Sequence, residues 1–251
     1  MFSSNKLFED TDGLLNPSWL IALAAVGPLA VPSKPKGLII AACLGVILAS
    51  SALVYPLAEA AEAPNWAVAA TLTNGTYTGS GVYLTPGLVI TAAHVAGGWT
   101  GKLQVHIAGD DLAIIPVKQG EFEDVDLVLF SLDQQKLPAS IQETQASLCR
   151  APAWPGDPVI IVDREWVSQS HVISSVILSP RYRQKFSTLI ADVASTGNSG
   201  SGVFDPDHEC LLGIMSRKFT TAGADIAKYF VPASEIHEFI PEELRQQVLM
   251  K

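Results

Sequence analysis

Cysteine is scarce in this chain: three occur in 251 residues, and no two form a Cys-x-x-Cys pair. That excludes a mini-fold built on disulfides and a Cys-rich zinc site. Charge is scarce as well. Asp, Glu, Lys and Arg make up 16% of the residues, and 25 acidic side chains outnumber 16 basic ones, for a formal net charge of -9. A duplex-binding protein needs Lys and Arg to displace counterions, so nucleic acid is not an expected partner. Internal repeats and low-complexity tracts are missing. What is plentiful is apolar surface, 48% of the residues, too much for a disordered chain. The length suits one sizeable domain with additions, or two small domains.

Much of the apolar surface lies near the N-terminus. From Gly37 to Leu57 no charged residue occurs in twenty-one positions. As a helix, the first eighteen of these would reach roughly 27 Å, close to the thickness of a bilayer core. Lys34 and Lys36 flank the run on one side, Glu59 and Glu62 on the other. The positive-inside rule then puts the lysines in the cytoplasm and the chain after residue 60 outside. A weaker run, Trp19 to Pro32, contains Pro28 and is marginal as a span. Three arrangements follow: an anchor at 37–57, a signal segment cut near Ala60 in the Ala58-Glu59-Ala60 stretch, or two spans as a hairpin. All three make the membrane a partner of residues 1–63 and place residues 64–251 in the periplasm or outside the cell.

Beyond Ala63 the texture changes to short apolar runs broken by Gly, Pro, Asn and Asp. The runs are Trp66–Leu72, Tyr77–Leu84, Leu88–Ala92, Leu103–Ala108, Leu112–Val117, Leu127–Leu132, Pro158–Val162, His171–Leu178, Thr188–Val193, Gly202–Phe204, Cys210–Met215 and Tyr229–Val231. Strands at this spacing predict an all-β sandwich or barrel. Helical character is expected only near the end, from Pro241 to Leu249, where Pro241 suits a first turn and Glu242 and Glu243 suit its dipole. Residues 64–251 carry 13 basic and 20 acidic side chains, 13 - 20 = -7.

Three segments carry chemistry. Ile90-Thr91-Ala92-Ala93-His94-Val95 runs a strand into a histidine. Asp124-Val125-Asp126-Leu127-Val128-Leu129-Phe130 opens a buried strand with a carboxylate. Thr196-Gly197-Asn198-Ser199-Gly200-Ser201-Gly202 sets a serine in a glycine-rich turn. A serine hydroxyl attacks a carbonyl only when a base removes its proton, and histidine suits that task near neutral pH. A carboxylate on the second ring nitrogen fixes the tautomer and stabilises the imidazolium. The glycines permit a turn that aims backbone N–H groups at one point; those of Gly197 and Ser199 would hold an oxyanion. Taken singly, each residue has a plainer reading: His94 as structural, the glycine turn as a loop, Glu121–Asp126 as a solvated face with Asp124 as able as Asp126. His106, His171, His208 and His237 read as surface or structural, no metal-ligand cluster emerges, and no cofactor is expected.

Thr91-Ala92-Ala93-His94, then Asp126-Leu127-Val128-Leu129, then Gly197 to Gly202, spaced 32 and 73 residues apart between His94, Asp126 and Ser199, resemble the chymotrypsin/trypsin-like serine peptidases. The bacterial members without a trypsin-style activation peptide are the more similar. The resemblance covers about residues 66–250, and Leu212-Gly213-Ile214-Met215-Ser216 extends it. It implies two six-stranded antiparallel β-barrels with a cleft between them, to which the apolar run and the periodicity near the end add a hydrophobic N-terminal helix and a short C-terminal helix. It implies His94 as general base, Asp126 as orienting carboxylate, Ser199 as nucleophile, and Gly197 and Ser199 as oxyanion-hole donors. Val193 would fall at the base of the specificity pocket, with Thr196 beside it, and Ser216 would start the strand that pairs with substrate. The implied activity is that of a serine endopeptidase acting on protein or peptide. A catalytically silent domain that binds extended peptides is the alternative, and an esterase of G-x-S-x-G type is disfavoured by the triad order.

This chain also departs from the family. Asn198 stands where zymogen-type members carry an aspartate that pairs with a freed N-terminus, and no Ile-Val-Gly-Gly follows Ala63. The site is therefore expected to form without cleavage. Arg217 and Lys218 follow Ser216; beside the pocket they would favour acidic or polar side chains, but Lys and Arg are mostly exposed and they are expected to face solvent. Cys149 and Cys210 are expected to be bonded, with Cys43 apart from them in the apolar run.

Overall fold

The computed structural model describes residues 63–73, 78–85, 87–97, 103–191, 198–221 and 223–251. The first six strands are β1 (Ala69–Thr73), β2 (Thr78–Thr85), β3 (Leu88–Thr91), β4 (Gln104–Ile107), β5 (Asp110–Gln119) and β6 (Val128–Leu132). They close into an antiparallel barrel in the order β1-β2-β3-β6-β5-β4, with Leu72 opposite Val105 where β1 meets β4. A four-residue helix, α1 (Ala93–Ala96), follows β3, and α2 (Ala139–Gln142) leads out of this barrel.

The second half holds β7 (Ser147–Leu148), β8 (Pro158–Val162), β9 (Val167–Ile173), α3 (Pro180–Lys185), β10 (Leu189–Ala191), β11 (Gly202–Asp205), β12 (Cys210–Thr221), β13 (Ala224–Pro232), α4 (Ala233–Phe239) and α5 (Glu242–Arg245). Strands β11-β8-β9-β10-β13-β12 form a six-membered ring closed by the β11–β12 pairing, and β7 adds a short parallel pairing at Cys210 and Leu211. Cys149 and Cys210 form the expected disulfide, tying the end of β7 to the start of β12.

Why the strands read as almost continuous apolar runs is clear from where alternate side chains go. In β3, Val89 packs inside the first barrel with Tyr83, Val105 and Phe130, while Leu88 and Ile90 face a second cluster shared with Leu148, Val162, Phe204 and Ile214. In β6, Val128 and Phe130 point inward and Leu129 outward, into the same shared cluster. Val159, Ile161, Val172, Ile190, Val203 and Phe230 fill the second barrel. Both faces of the inner strands are therefore dry, and the two barrels are joined by a packed apolar seam.

Several expectations need correction. The run 171–178 is strand only to Ile173, because the Ser174 hydroxyl accepts from the Val176 N–H and turns Ser175–Ile177 into a tight 3-10 turn. The helix expected over 241–249 is confined to Glu242–Arg245, and the seven-residue α4 before it buries Ala233, Ile236 and Phe239 on one face. The expected membrane-anchored, extracytoplasmic placement is not sustained. No helix among the described residues is long and apolar enough to cross a membrane. The longest, α4 with seven residues, rises only about 10 Å against the roughly 30 Å of a bilayer core. The runs at 19–32 and 37–57, and the cleavage stretch at Ala58–Ala60, lie outside the described residues.

Candidate active site

His94 leaves the end of β3 on the first turn of α1, with its side chain 31% exposed. Asp126 lies two residues before β6 and is almost fully buried, its side chain only 1% exposed. β3 and β6 are hydrogen-bonded neighbours with Thr91 opposite Val128, and this pairing brings the two residues together from 32 positions apart. The His94 backbone N–H donates to Asp126 Oδ1 at 3.0 Å, and the ring Nδ1 lies 2.7 Å from Oδ2. An ionised carboxylate only accepts, so Nδ1 carries the proton and Nε2 is left as the basic nitrogen. Asp124 is exposed, so the choice between the two aspartates falls on Asp126.

The second barrel reaches the same carboxylate. Ser216 sits at a β-bulge in β12, where Met215 faces Phe230 and Arg217 faces Tyr229, leaving Ser216 as the extra residue. A bulge redirects a side chain, and here the Ser216 hydroxyl donates to Asp126 Oδ2 at 2.5 Å. Burial raises the Asp126 pKa. Hydrogen bonding to the His94 ring, the proximity of its charge and the Ser216 hydroxyl more than offset that, and the net shift is downward.

Ser199 stands next to this network, and its hydroxyl donates to the backbone carbonyl of Ser216 at 3.2 Å. No hydrogen bond among the described residues joins it to the His94 ring. Around Ser199 the turn is closely bonded: Gly200 N–H donates to Met215 C=O, Ser201 N–H to Asn198 C=O, and Asn198 N–H to Asp163 Oδ2 and Ser201 Oγ. The Ser199 N–H has no acceptor among the described residues, as an oxyanion donor requires. Gly200 adopts φ +90°, and a Cβ there would lie 1.9 Å from the Ser80 carbonyl oxygen and 2.3 Å from Thr91 Oγ1. Only glycine lets this turn lie directly on β2 and β3 of the first barrel.

Sequence reasoning missed Asp163. It follows β8 and is 4% exposed; its carboxylate accepts from Ser80 Oγ at 2.9 Å, Ser201 Oγ at 2.7 Å, and the Asn198 backbone and side-chain amides at 3.0 and 3.2 Å. The Glu165 N–H adds a fifth bond at 3.1 Å. Its only signal was an aspartate abutting the apolar run Val159–Val162, a pattern any strand end can show. Burial raises its pKa, and the Ser201, Asn198, Ser80 and Glu165 donors outweigh burial and hold it below the usual value.

Arg217 corrects another expectation. Its guanidinium is half-buried: it stacks 4.0 Å from the Phe122 ring centre and 4.8 Å from that of Phe186, and it donates to the Phe122 carbonyl. Phe122 in turn lies edge-on to the His94 ring at 5.2 Å. Lys218 is exposed, as expected, and pairs with Asp225 at 3.0 Å. Ser216 lies within β12 rather than at its start. Up to Ile214 one edge of β12 pairs with β11, and from Ser216 onward no strand among the described residues covers that edge. Val193, Thr196 and Gly197 lie outside the described residues. Among the described residues no group of three His, Cys, Asp and Glu is placed to hold a metal ion.

Solved structures share this fold at low identity. The active form of the Rv3671c protease from M. tuberculosis matches with a TM-score of 0.55 at 14% identity, over 89% of this chain and 96% of that one. Kallikrein-related peptidase 10 matches at 0.55 and 18% identity, over 73% and 96%. The serine endoprotease from Yersinia pestis matches at 0.51 and 19%, over 71% and 62%. At these identities the likeness is one of fold. No curated protein matches the chain. The family model of the trypsin-like peptidase domain matches residues 79–214, more than half of the chain, which therefore belongs to the trypsin-like peptidase family.

Proposed function

We propose that residues 64–251 form a domain that binds polypeptide in extended form against the open edge of β12, and that Ser199, His94 and Asp126 are the residues through which such a domain hydrolyses it. Unequal support stands behind the two parts. Binding is favoured by a strand edge that no strand among the described residues covers from Ser216 onward, beside a buried polar network. An extended chain satisfies such an edge with main-chain hydrogen bonds. Turnover needs one further movement, because the Ser199 hydroxyl rests on the Ser216 carbonyl. The contacts as they stand thus favour the silent, peptide-binding alternative over turnover.

Hydrolysis requires the Ser199 hydroxyl to leave the Ser216 carbonyl and bond His94 Nε2. Oγ then attacks the peptide carbonyl carbon as its proton passes to Nε2, and the Ser199 N–H donates to the oxyanion. Collapse breaks the C–N bond, with Nε2 returning the proton to the leaving amine. Water then adds to the acyl ester, Nε2 takes its proton, and the acid leaves as Ser199 recovers its own. The single observation that supports this chemistry is the His94–Asp126 pair, bonded twice and oriented so that Nε2 is the free base.

One experiment separates the readings. The full chain, uncleaved, is treated with a fluorescent serine-directed phosphonate and, separately, with a mixed peptide library. Hydrolysis predicts labelling that Ser199→Ala abolishes, together with peptide turnover. Binding of peptides without labelling or turnover establishes the silent domain. Labelling that survives Ser199→Ala removes Ser199 from the chemistry.

A further inference from the structure

We propose that Asp163 is the positioning residue of the Ser199 turn: a carboxylate from the end of β8 that holds the turn in shape through hydrogen bonds from uncharged donors. The inference rests on Ser199 being the functional serine. It starts from a buried charge that no step above uses. Asp163 is 4% exposed and takes part in no ion pair among the described residues; five neutral donors surround it instead. A buried carboxylate without a cation persists only when hydrogen bonds replace its water.

The choice of donors gives the role. Three of the five belong to the segment Asn198–Ser201: both amides of Asn198 and the Ser201 hydroxyl. They clamp the residues on either side of Ser199 to one oxygen, Oδ2. The Ser80 hydroxyl brings in the first barrel at that same oxygen, while Gly200 lies against the Ser80 carbonyl. The clamp also occupies the Asn198 N–H, so the turn presents the Ser199 N–H alone among Asn198–Ser201 as a donor without an acceptor in the described residues. Asn198, in the place before the nucleophile, brings no charge of its own. The negative charge comes from β8, is satisfied within the folded chain, and is present as soon as the chain folds.

The test uses the full chain with Asp163→Asn, Asp163→Ala and Ser80→Ala, read in three ways. The rate of phosphonate labelling per folded molecule is expected to fall by about 10²-fold in Asp163→Asn, as for an ångström-scale misplacement of a reacting group, and less in Ser80→Ala. Hydrogen exchange at the amides of Asn198–Ser201 is expected to accelerate in Asp163→Asn, while exchange in β1–β6 stays unchanged. Near-ultraviolet circular dichroism gives the folded fraction, so that a scaffold role, which lowers activity only in step with folding, is told apart. Unchanged exchange at Asn198–Ser201 in folded Asp163→Asn or Asp163→Ala overturns the inference, as does labelling at the wild-type rate. If the wild type binds peptide but takes no label, the hydrolytic reading fails by itself, and the exchange measurement still decides the role of Asp163. If both Asp163 variants fail to fold, accelerated exchange in Ser80→Ala supports the clamp and unchanged exchange overturns it.

Discussion

Two buried carboxylates, one from each barrel, meet the other barrel through a serine hydroxyl. Asp126 of the first barrel accepts from Ser216 of the second, and Asp163 of the second accepts from Ser80 of the first. Their other partners set them apart. Asp126 faces a histidine, a group able to take up a proton; among the described residues Asp163 accepts hydrogen bonds from hydroxyls and amides, which are not. If the site hydrolyses peptides, one carboxylate is placed to stabilise a charge that comes and goes, and the other, as proposed above, to fix a shape. The same residue type, buried in both places and held below its ordinary pKa in both, thus sits in two chemically different settings.

Substitutions can break that comparison. If the site turns over, Asp126→Asn is expected to lower kcat by about 10⁴-fold, because the amide leaves the imidazole in the wrong tautomer. Peptide affinity should hold, and equal losses for Asp126→Asn and Asp163→Asn in a kinetic assay would erase the distinction. Only the second barrel carries a covalent tie. Replacing Cys149 and Cys210 by serine opens a loop of 61 residues and is expected to remove about 4 kcal/mol of stability, read by urea unfolding under oxidising conditions. Reduction of the wild type should reproduce that loss.

Single hydroxyls sharpen the comparison further. Ser216→Ala and Ser80→Ala each remove one bond to a charged acceptor, and each is expected to lower stability by about 1.5–3 kcal/mol. Acid gives a smaller effect with a definite sign. Both carboxyls are held below their ordinary value of 3.8 in the folded state, so the unfolded chain binds their protons first. The stability they contribute is complete above that value and is lost as pH falls through their lowered folded-state pKa values. Denaturant midpoints taken from pH 5 to pH 2 should drop in the wild type, with a shallower drop in Asp163→Asn. A midpoint that rises toward pH 2 would reverse the sign.

Much of the strand pattern was legible because inner strands such as Leu88–Thr91 are buried on both faces and read as solid apolar runs. The dyad partners could be named from their place against those strands. Asp126 is preferred to Asp124 because it abuts the apolar run as the family pattern has it, and in the fold Asp126 is buried while Asp124 is exposed. α4 was legible in principle from Ala233, Ile236 and Phe239, spaced by three, but the run is short and follows a strand ending at Pro232. Arg217 was misread because a cation is ordinarily solvated, and only the approach of Phe122 and Phe186 from separate segments gives it a dry place to lie.

The sequence by itself determined the class of fold, the order of the three chemical segments and the family, because periodicity and short motifs are local properties of a chain. Tertiary structure alone decided which way the Ser199 hydroxyl points, that Ser216 bonds Asp126, and that Asp163 bonds Ser80 and the residues flanking Ser199. Those contacts join residues 17, 90 and 35 to 83 positions apart, and a hydrogen bond is set by distance and angle in space, which no local pattern encodes.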